Sequence, residues 1–190
     1  MKAFWPALKI FLVLTLITGL AYPLAVTAFA RVFYYGKGGG SFIERNGKTA
    51  GSELIGQAFK GAGYFQGRPS ATGYSPLPSG GSNLSPVSLA LKKQVEANTE
   101  AFLAANPGAA GRQVPPEMVF ASASGLDPHI TPGAALAQVE KVARARGFDS
   151  GRKKELVSLI AALTKGRDLG IFGESRINVL KLNLGLDEMK

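Results

Sequence analysis

The chain of 190 residues has no cysteine and a single histidine, His129. Without cysteine there is no disulfide, no thiolate nucleophile and no Cys-ligated zinc or iron–sulfur centre. One histidine would leave a zinc site to be built almost wholly from carboxylates, against the usual ligand pattern. Two signatures of phosphate and ester chemistry are also missing. No G-x-x-x-x-G-K-[ST] occurs, so there is no Walker lysine, and no G-x-S-x-G occurs, so there is no nucleophile elbow. There is no repeat of fixed period and no nucleic-acid motif. Acidic residues are the scarcer charge, 13 against 22 basic, for a formal net charge of +9. Such a balance favours an anionic partner or a membrane surface, and nucleic acid is not expected as a partner.

What the sequence has is one long hydrophobic run. Residues 10–30, IFLVLTLITGLAYPLAVTAFA, carry no charge and lie between Lys9 and Arg31. As a helix this run spans roughly 31 Å, close to the hydrocarbon thickness of a bilayer. Lipid offers backbone amides no partner, so a helix is the stable form, with Pro23 as a point of kinking. Tyr22, Phe29, Phe33, Tyr34 and Tyr35 gather at the far end, where rings suit the water–lipid boundary. The competing reading is a cleaved secretory signal, with Lys2 and Lys9 as its basic region and Ala28-Phe29-Ala30 as its cleavage site. The run is longer than a usual signal core, so a retained anchor is the expectation. The domain plan is then a short cytoplasmic N-terminus (1–9), a transmembrane helix (10–30), a glycine-rich hinge (31–41) and one extracytoplasmic α+β domain (42–190). Beyond residue 30 there are 20 basic and 13 acidic residues, so the exported part stays basic.

Within that domain, Asn46-Gly47 between short extended runs predicts a β-hairpin, since both turn positions need positive φ. Ser52 is expected to cap a short helix that reaches toward Phe59. Residues 61–86 are rich in glycine, proline and serine. They contain Tyr64, Phe65, Arg68 and Tyr74, which argue for an ordered loop packed on something. Ser85-Pro86 reads as a cap followed by proline at the first helical position, opening a helix to about residue 105. Residues 118–123 read as a short buried strand. Thr131-Pro132 repeats the cap-and-proline device, with Leu136, Val139, Val142 and Ala143 on one helical face. A further helix is expected over 150–165, and alternating residues over 176–184 predict a closing strand.

Three constellations are candidates for chemistry. Ser122, Ser124, Asp127 and His129 bring the residue types of a hydrolase triad into eight residues. Such groups normally converge from separate segments, so turn stabilisation by Asp127 and His129 is the expected role. Ser79, Gly80, Gly81, Ser82 and Asn83 run toward the predicted helix at residue 86. Converging amides and a helix N-terminus there would suit an anion or phosphate; the plainer reading is a turn that starts a helix. Arg144, Arg146, Arg152, Lys153 and Lys154 form a basic run, either solvated surface or a docking patch for anionic lipid or an acidic partner.

Several pieces, taken in order, resemble the KdpC family, the small single-span component of the Kdp potassium-transporting ATPase. They are residues 51–57 (GSELIGQ), 64–71 (YFQGRPSA), 79–83 (SGGSN), 122–130 (SASGLDPHI) and the tail containing Gly173-Glu174 and INVLKLN at 177–183, together with the N-terminal span. The resemblance implies a non-catalytic accessory subunit of an ATP-driven potassium uptake complex in the cell inner membrane. Its implied partners are a channel-like potassium-selecting subunit and a P-type ATPase subunit. It also implies a catalytic chaperone role, raising ATP affinity of the pump subunit, with Ser79, Gly80, Gly81, Ser82 and Asn83 in the stretch proposed to contact nucleotide. The residues themselves place that stretch beyond the anchor, on the side without ATP unless topology is inverted. They make assembly and extracellular gating the physically easier role. The alternative from a different class is an anchored or secreted hydrolase using His129.

Overall fold

Pro23 sets the shape of the long apolar helix. In the computed structural model, which describes residues 3–111 and 113–189, α1 (Phe4–Leu16) and α2 (Tyr22–Phe33) form one continuous helix. They are joined by a π turn at Ile17–Ala21, where the Tyr22 N–H donates to the Ile17 carbonyl five residues back. Proline has no N–H and its ring crowds the carbonyl four residues earlier, here that of Gly19; the wider turn takes up that mismatch. Thr18 and Thr27 satisfy their hydroxyls on the carbonyls of Leu14 and Pro23, both at 2.7 Å. The helix is longer than the uncharged run suggests. It starts at Phe4 and runs through Arg31 to Phe33, so it takes in the first residues assigned to the hinge. It is the one helix among the described residues long and apolar enough to cross a membrane, and none of its apolar window is buried in protein. Lys2 lies outside the described residues.

The chain forms two units, residues 1–50 and 51–190. In the first, the helix gives way to glycine turns, in which Gly38 N–H donates to Tyr34 O (3.0 Å) and Ser41 N–H to Gly36 O (3.1 Å). The predicted hairpin follows, β1 (Phe42–Arg45) and β2 (Lys48–Ser52), turning on Asn46 and Gly47 at φ 53° and 72°.

The second unit is helical around a small apolar core. Its elements are α3 (Leu89–Ala105), α4 (Pro132–Ala145), α5 (Ser150–Leu163), α6 (Val179–Glu188) and a two-stranded antiparallel sheet of β3 (His129–Ile130) and β4 (Ile177–Asn178). The sheet pairs His129 with Asn178 and Ile130 with Ile177. Val142, Leu156, Ile160, Ile177, Leu182, Leu186 and Phe65 are fully buried together. Helix and strand coexist, as the α+β assignment expects. Thr131 caps α4 as predicted, its Oγ1 accepting from Ala134 N–H at 3.1 Å. Leu136, placed by sequence on the core face of α4, is instead half exposed; Gln138 and Lys141 take inward positions.

Four local expectations are corrected. Residues beyond Ser52 do not form a helix. Ser52 Oγ accepts from Leu54 N–H, after which Gly56 N–H donates out of the segment to Leu126 O at 2.7 Å. The cap of α3 is Ser88 rather than Ser85, which accepts from Ser88 N–H in a turn of its own through its carbonyl. Residues 118–123 are not a strand. Pro115-Pro116 starts a 3-10 turn (Pro116–Met118), and Ser122 N–H then makes a lone bond to Pro69 O at 3.0 Å. The closing strand is only two residues long. Asn178 Oδ1 accepts from Lys181 N–H at 3.0 Å and caps α6, which buries Val179, Leu182 and Leu186 at helical spacing.

Candidate functional site

The 61–86 loop is ordered, and two side-chain amides hold it. Phe65, with no exposed surface, donates its N–H to Asn183 Oδ1 at 2.9 Å and accepts from Asn183 Nδ2 at 2.9 Å. The next residue repeats the device. Gln66 N–H donates to Gln138 Oε1 at 2.8 Å, and Gln138 Nε2 donates to Gln66 O at 3.1 Å. Each amide stands in for a neighbouring β-strand and satisfies backbone groups that burial would otherwise leave unpaired. Arg146 closes the same region. Its Nε donates to Gly63 O at 2.7 Å, its Nη2 pairs with Asp187 Oδ1 at 2.6 Å, and its guanidinium lies 4.8 Å from the Tyr64 ring centre.

On this base the separated motif pieces meet. Ser70 Oγ donates to Gly125 O at 2.7 Å, and Tyr74 Oη donates to Arg68 O at 2.6 Å. Gly80 N–H donates to Ser124 O at 2.9 Å. Gly125, at φ +71°, fits so closely that a Cβ there would stand 2.6 Å from Thr72 Oγ1 and 2.8 Å from Gly80 O. Val179 N–H donates to Pro128 O at 2.9 Å, and Asn178 Nδ2 donates to Glu53 O at 2.7 Å. Residues 51–57, 64–71, 79–83, 122–130 and 177–183 therefore build one loop platform.

At its centre Arg68 Nη1 donates to Asp127 Oδ2 at 3.1 Å, while Asp127 Oδ1 accepts from His129 N–H at 3.0 Å. His129 Nδ1 lies 3.5 Å from the same oxygen. Partial burial works against the Asp127 carboxylate, but the His129 side chain and backbone and the Arg68 guanidinium outweigh it and hold its pKa below the ordinary value. These groups border a groove of about 680 Å³ that also meets Glu117, Phe120 and Arg176.

The sequence-predicted residues separate clearly in this setting. Asp127 and His129 form the turn-stabilising pair expected of them. Ser122 is buried, and Ser124 Oγ accepts from Leu126 N–H at 3.1 Å. Among the described residues no hydrogen bond links either serine to His129, so the triad types do not converge. Of the 79–83 stretch, the Gly80 amide is spent on Ser124, and Gly81 lies against Ala123, where a Cβ would stand 3.0 Å from its carbonyl oxygen. Ser79, Ser82 and Asn83 are exposed, with Asn83 at φ 50°. The helix N-terminus thought to follow begins only at Leu89, so its partial charge is not delivered to this stretch. The basic run is largely occupied. Arg146 is the bolt described above, Lys153 pairs with Glu140 and Arg152 lies 3.8 Å from Glu155. Among the described residues no group of three His, Cys, Asp or Glu is placed to hold a metal ion. Sequence reasoning missed Asn183 and Gln138. Their signal is a polar amide set among apolar neighbours on a helix's inward face.

Comparison with known proteins gives the family to which this fold and platform belong. The family model for KdpC, described as the K+-transporting ATPase, c chain, matches residues 4–188. The chain is 52% identical over 188 residues to a potassium-transporting ATPase KdpC subunit of Polaromonas naphthalenivorans, covering 97% of this chain and 94% of the relative. It is 52% identical over 185 residues to the protein of that name from Rhodospirillum rubrum, covering 96% and 94%. It is 48% identical over 198 residues to that of Methylobacterium nodulans, covering 97% and 96%. The chain belongs to the KdpC family.

Proposed function

We propose that the chain is the single-span accessory subunit of an ATP-driven potassium pump of the inner membrane, with its N-terminus cytoplasmic and its α+β domain outside. The observation that carries this reading is the family match, which runs unbroken from the apolar helix through the last helix. On this reading α1 and α2 sit in lipid beside a channel-like potassium-selecting subunit and a P-type ATPase subunit, which supply transport and hydrolysis. The exported domain contributes assembly and extracellular gating rather than chemistry of its own. The test is affinity purification of the full-length chain from membranes in mild detergent. Two large subunits of the potassium-transporting ATPase are expected with it, and replacing the span by polar sequence should abolish their recovery. A hydrolase using His129 predicts turnover that vanishes in His129→Ala.

A second reading is the catalytic chaperone, raising ATP affinity of the pump subunit through contact at Ser79, Gly80, Gly81, Ser82 and Asn83. The exposed side chains of Ser79, Ser82 and Asn83 favour it; the lost helix N-terminus and the engaged Gly80 amide weigh against it. It requires this platform to meet ATP, hence the opposite topology. Titration of ATP against the full-length chain in detergent tests it. Ser82→Asp, which places a negative charge where phosphate would rest, should weaken binding about tenfold if the contact exists. Equal titration curves would remove the reading.

A further inference from the structure

Between α5 and β4 lies a hairpin that the sequence pattern did not announce. Lys165 and Arg176 exchange both backbone bonds, with Lys165 N–H to Arg176 O at 2.8 Å and the reverse at 2.9 Å. A second rung joins Asp168 and Phe172, with N–H to O distances of 2.8 and 2.9 Å. Asp168 locks the arms. Its Oδ2 accepts from Arg176 Nη2 at 2.7 Å, and its Oδ1 lies 3.2 Å from Lys165 Nζ. At the tip three large apolar side chains stand in water side by side: Leu169 is 88% exposed, Ile171 73% and Phe172 64%. Leu169 is also held at φ +54°, a conformation that a side chain of its size seldom adopts. With Gly170 at φ +76° it fills the two positions that a tight hairpin turn holds at positive φ, so the turn fixes how the tip is presented.

We propose that this tip, Leu169 with Ile171 and Phe172, is a docking finger that enters an apolar crevice on the extracytoplasmic surface of a partner subunit. The inference rests on the reading of the chain as an accessory subunit and names the part of it that makes contact. Charge selects protein over lipid as the occupant. An anionic leaflet recruits through several free cations. Here Lys165 and Arg176 are both engaged by Asp168, and with Arg167 and Glu174 the hairpin carries a net charge of only +1. Apolar anchors within a rim of paired charge match the anatomy of a protein interface. A tip fixed by two backbone rungs and a tight turn likewise suits a shaped crevice. Three side chains are too few for a whole stable interface, so the finger is its anchor, the kind of cluster that carries most of the binding energy.

Two measurements on the full chain in its native membranes test this. A photoreactive benzoylphenylalanine at Phe172 should yield a covalent adduct with one of the large potassium-transporting ATPase subunits; adducts with lipid alone, or none, overturn the proposal. The triple variant Leu169→Ser, Ile171→Ser, Phe172→Ser should recover those subunits at least about tenfold less well than the wild type. Its melting temperature should stay close to that of the wild type, because all three side chains are exposed. Recovery equal to wild type overturns the finger while leaving the accessory-subunit reading intact. A wild-type chain that brings down no large subunit overturns both. Val87→Ser, at a side chain 94% exposed elsewhere on the domain, is the control and should leave recovery unchanged.

Discussion

Asn183 and Phe65 are 118 residues apart and exchange two hydrogen bonds, both at 2.9 Å, in the dry interior. The long loop is ordered because an amide on α6 takes the place of a strand beside it. Asn183→Leu keeps the branching of the side chain, adds some bulk and leaves a buried N–H and carbonyl unpaired. The expected loss is about 2–6 kcal/mol, since each of the two unsatisfied buried groups costs about 1–3 kcal/mol. Chemical denaturation followed by circular dichroism reads it directly. A loss within experimental error would mean that the loop is held by other contacts.

The platform's tolerance for side chains differs sharply among its glycines. Gly125→Ala meets both a positive φ and two atoms within 3 Å, so it should destabilise by more than about 2 kcal/mol. Gly80→Ala, with nothing within 4 Å, should change stability by less than about 0.5 kcal/mol. Gly81 lies between them. A bulky variant there, such as Gly81→Val, would disturb the fold before it reported on any ligand. Parallel thermal melts of Gly125→Ala, Gly81→Ala and Gly80→Ala check the order.

Asp127 makes the platform acid-sensitive. Its folded pKa lies below the unfolded value, so its contribution is present above the ordinary carboxylate pKa of about 3.9 and is lost as pH falls through the folded value. Asp127→Asn should therefore be less stable than wild type at neutral pH, with the gap closing below about pH 4. Denaturation curves at pH 7, 5 and 3 check this; a constant gap would contradict it.

Lys141 works in the opposite pH range. The residue is 7% exposed, its ammonium donates to Gln138 Oε1 at 3.3 Å, and burial lowers its pKa from 10.5 to about 8. Below about pH 8 the charge is buried at full cost. Stability should rise between about pH 8 and 10.5, where the unfolded chain binds the proton more tightly. The whole relief is on the order of 3 kcal/mol at about 1.36 kcal/mol per pH unit. Lys141→Met should flatten this rise and be the more stable protein at pH 7. A wild type without the alkaline rise would show that the ammonium reaches water.

The parts of the fold legible in the sequence are those set by near neighbours. The membrane-length helix follows from an uncharged run, the first hairpin from Asn46-Gly47, and α4 from Thr131-Pro132. The closing segment misled because Leu180, Leu182 and Leu184 alternate with Lys181 and Asn183, whereas Val179, Leu182 and Leu186 fit a helix equally well. In so short a stretch only the core beneath it decides. The candidate site was half legible. Asp127 and His129 reveal a turn locally, but the 79–83 stretch is defined by what it lies on. The bond from Gly80 to Ser124 crosses more than forty residues and leaves no mark on either local pattern. The second hairpin was silent because it turns on Leu169-Gly170, which lacks the Asn-Gly signature that announces the first.

Native mass spectrometry of the detergent-extracted protein bears most directly on the central claim. The expected result is an intact chain, its apolar helix retained, in one assembly with two larger subunits of a potassium-transporting ATPase. A water-soluble chain beginning after Ala30 and flying alone would contradict it.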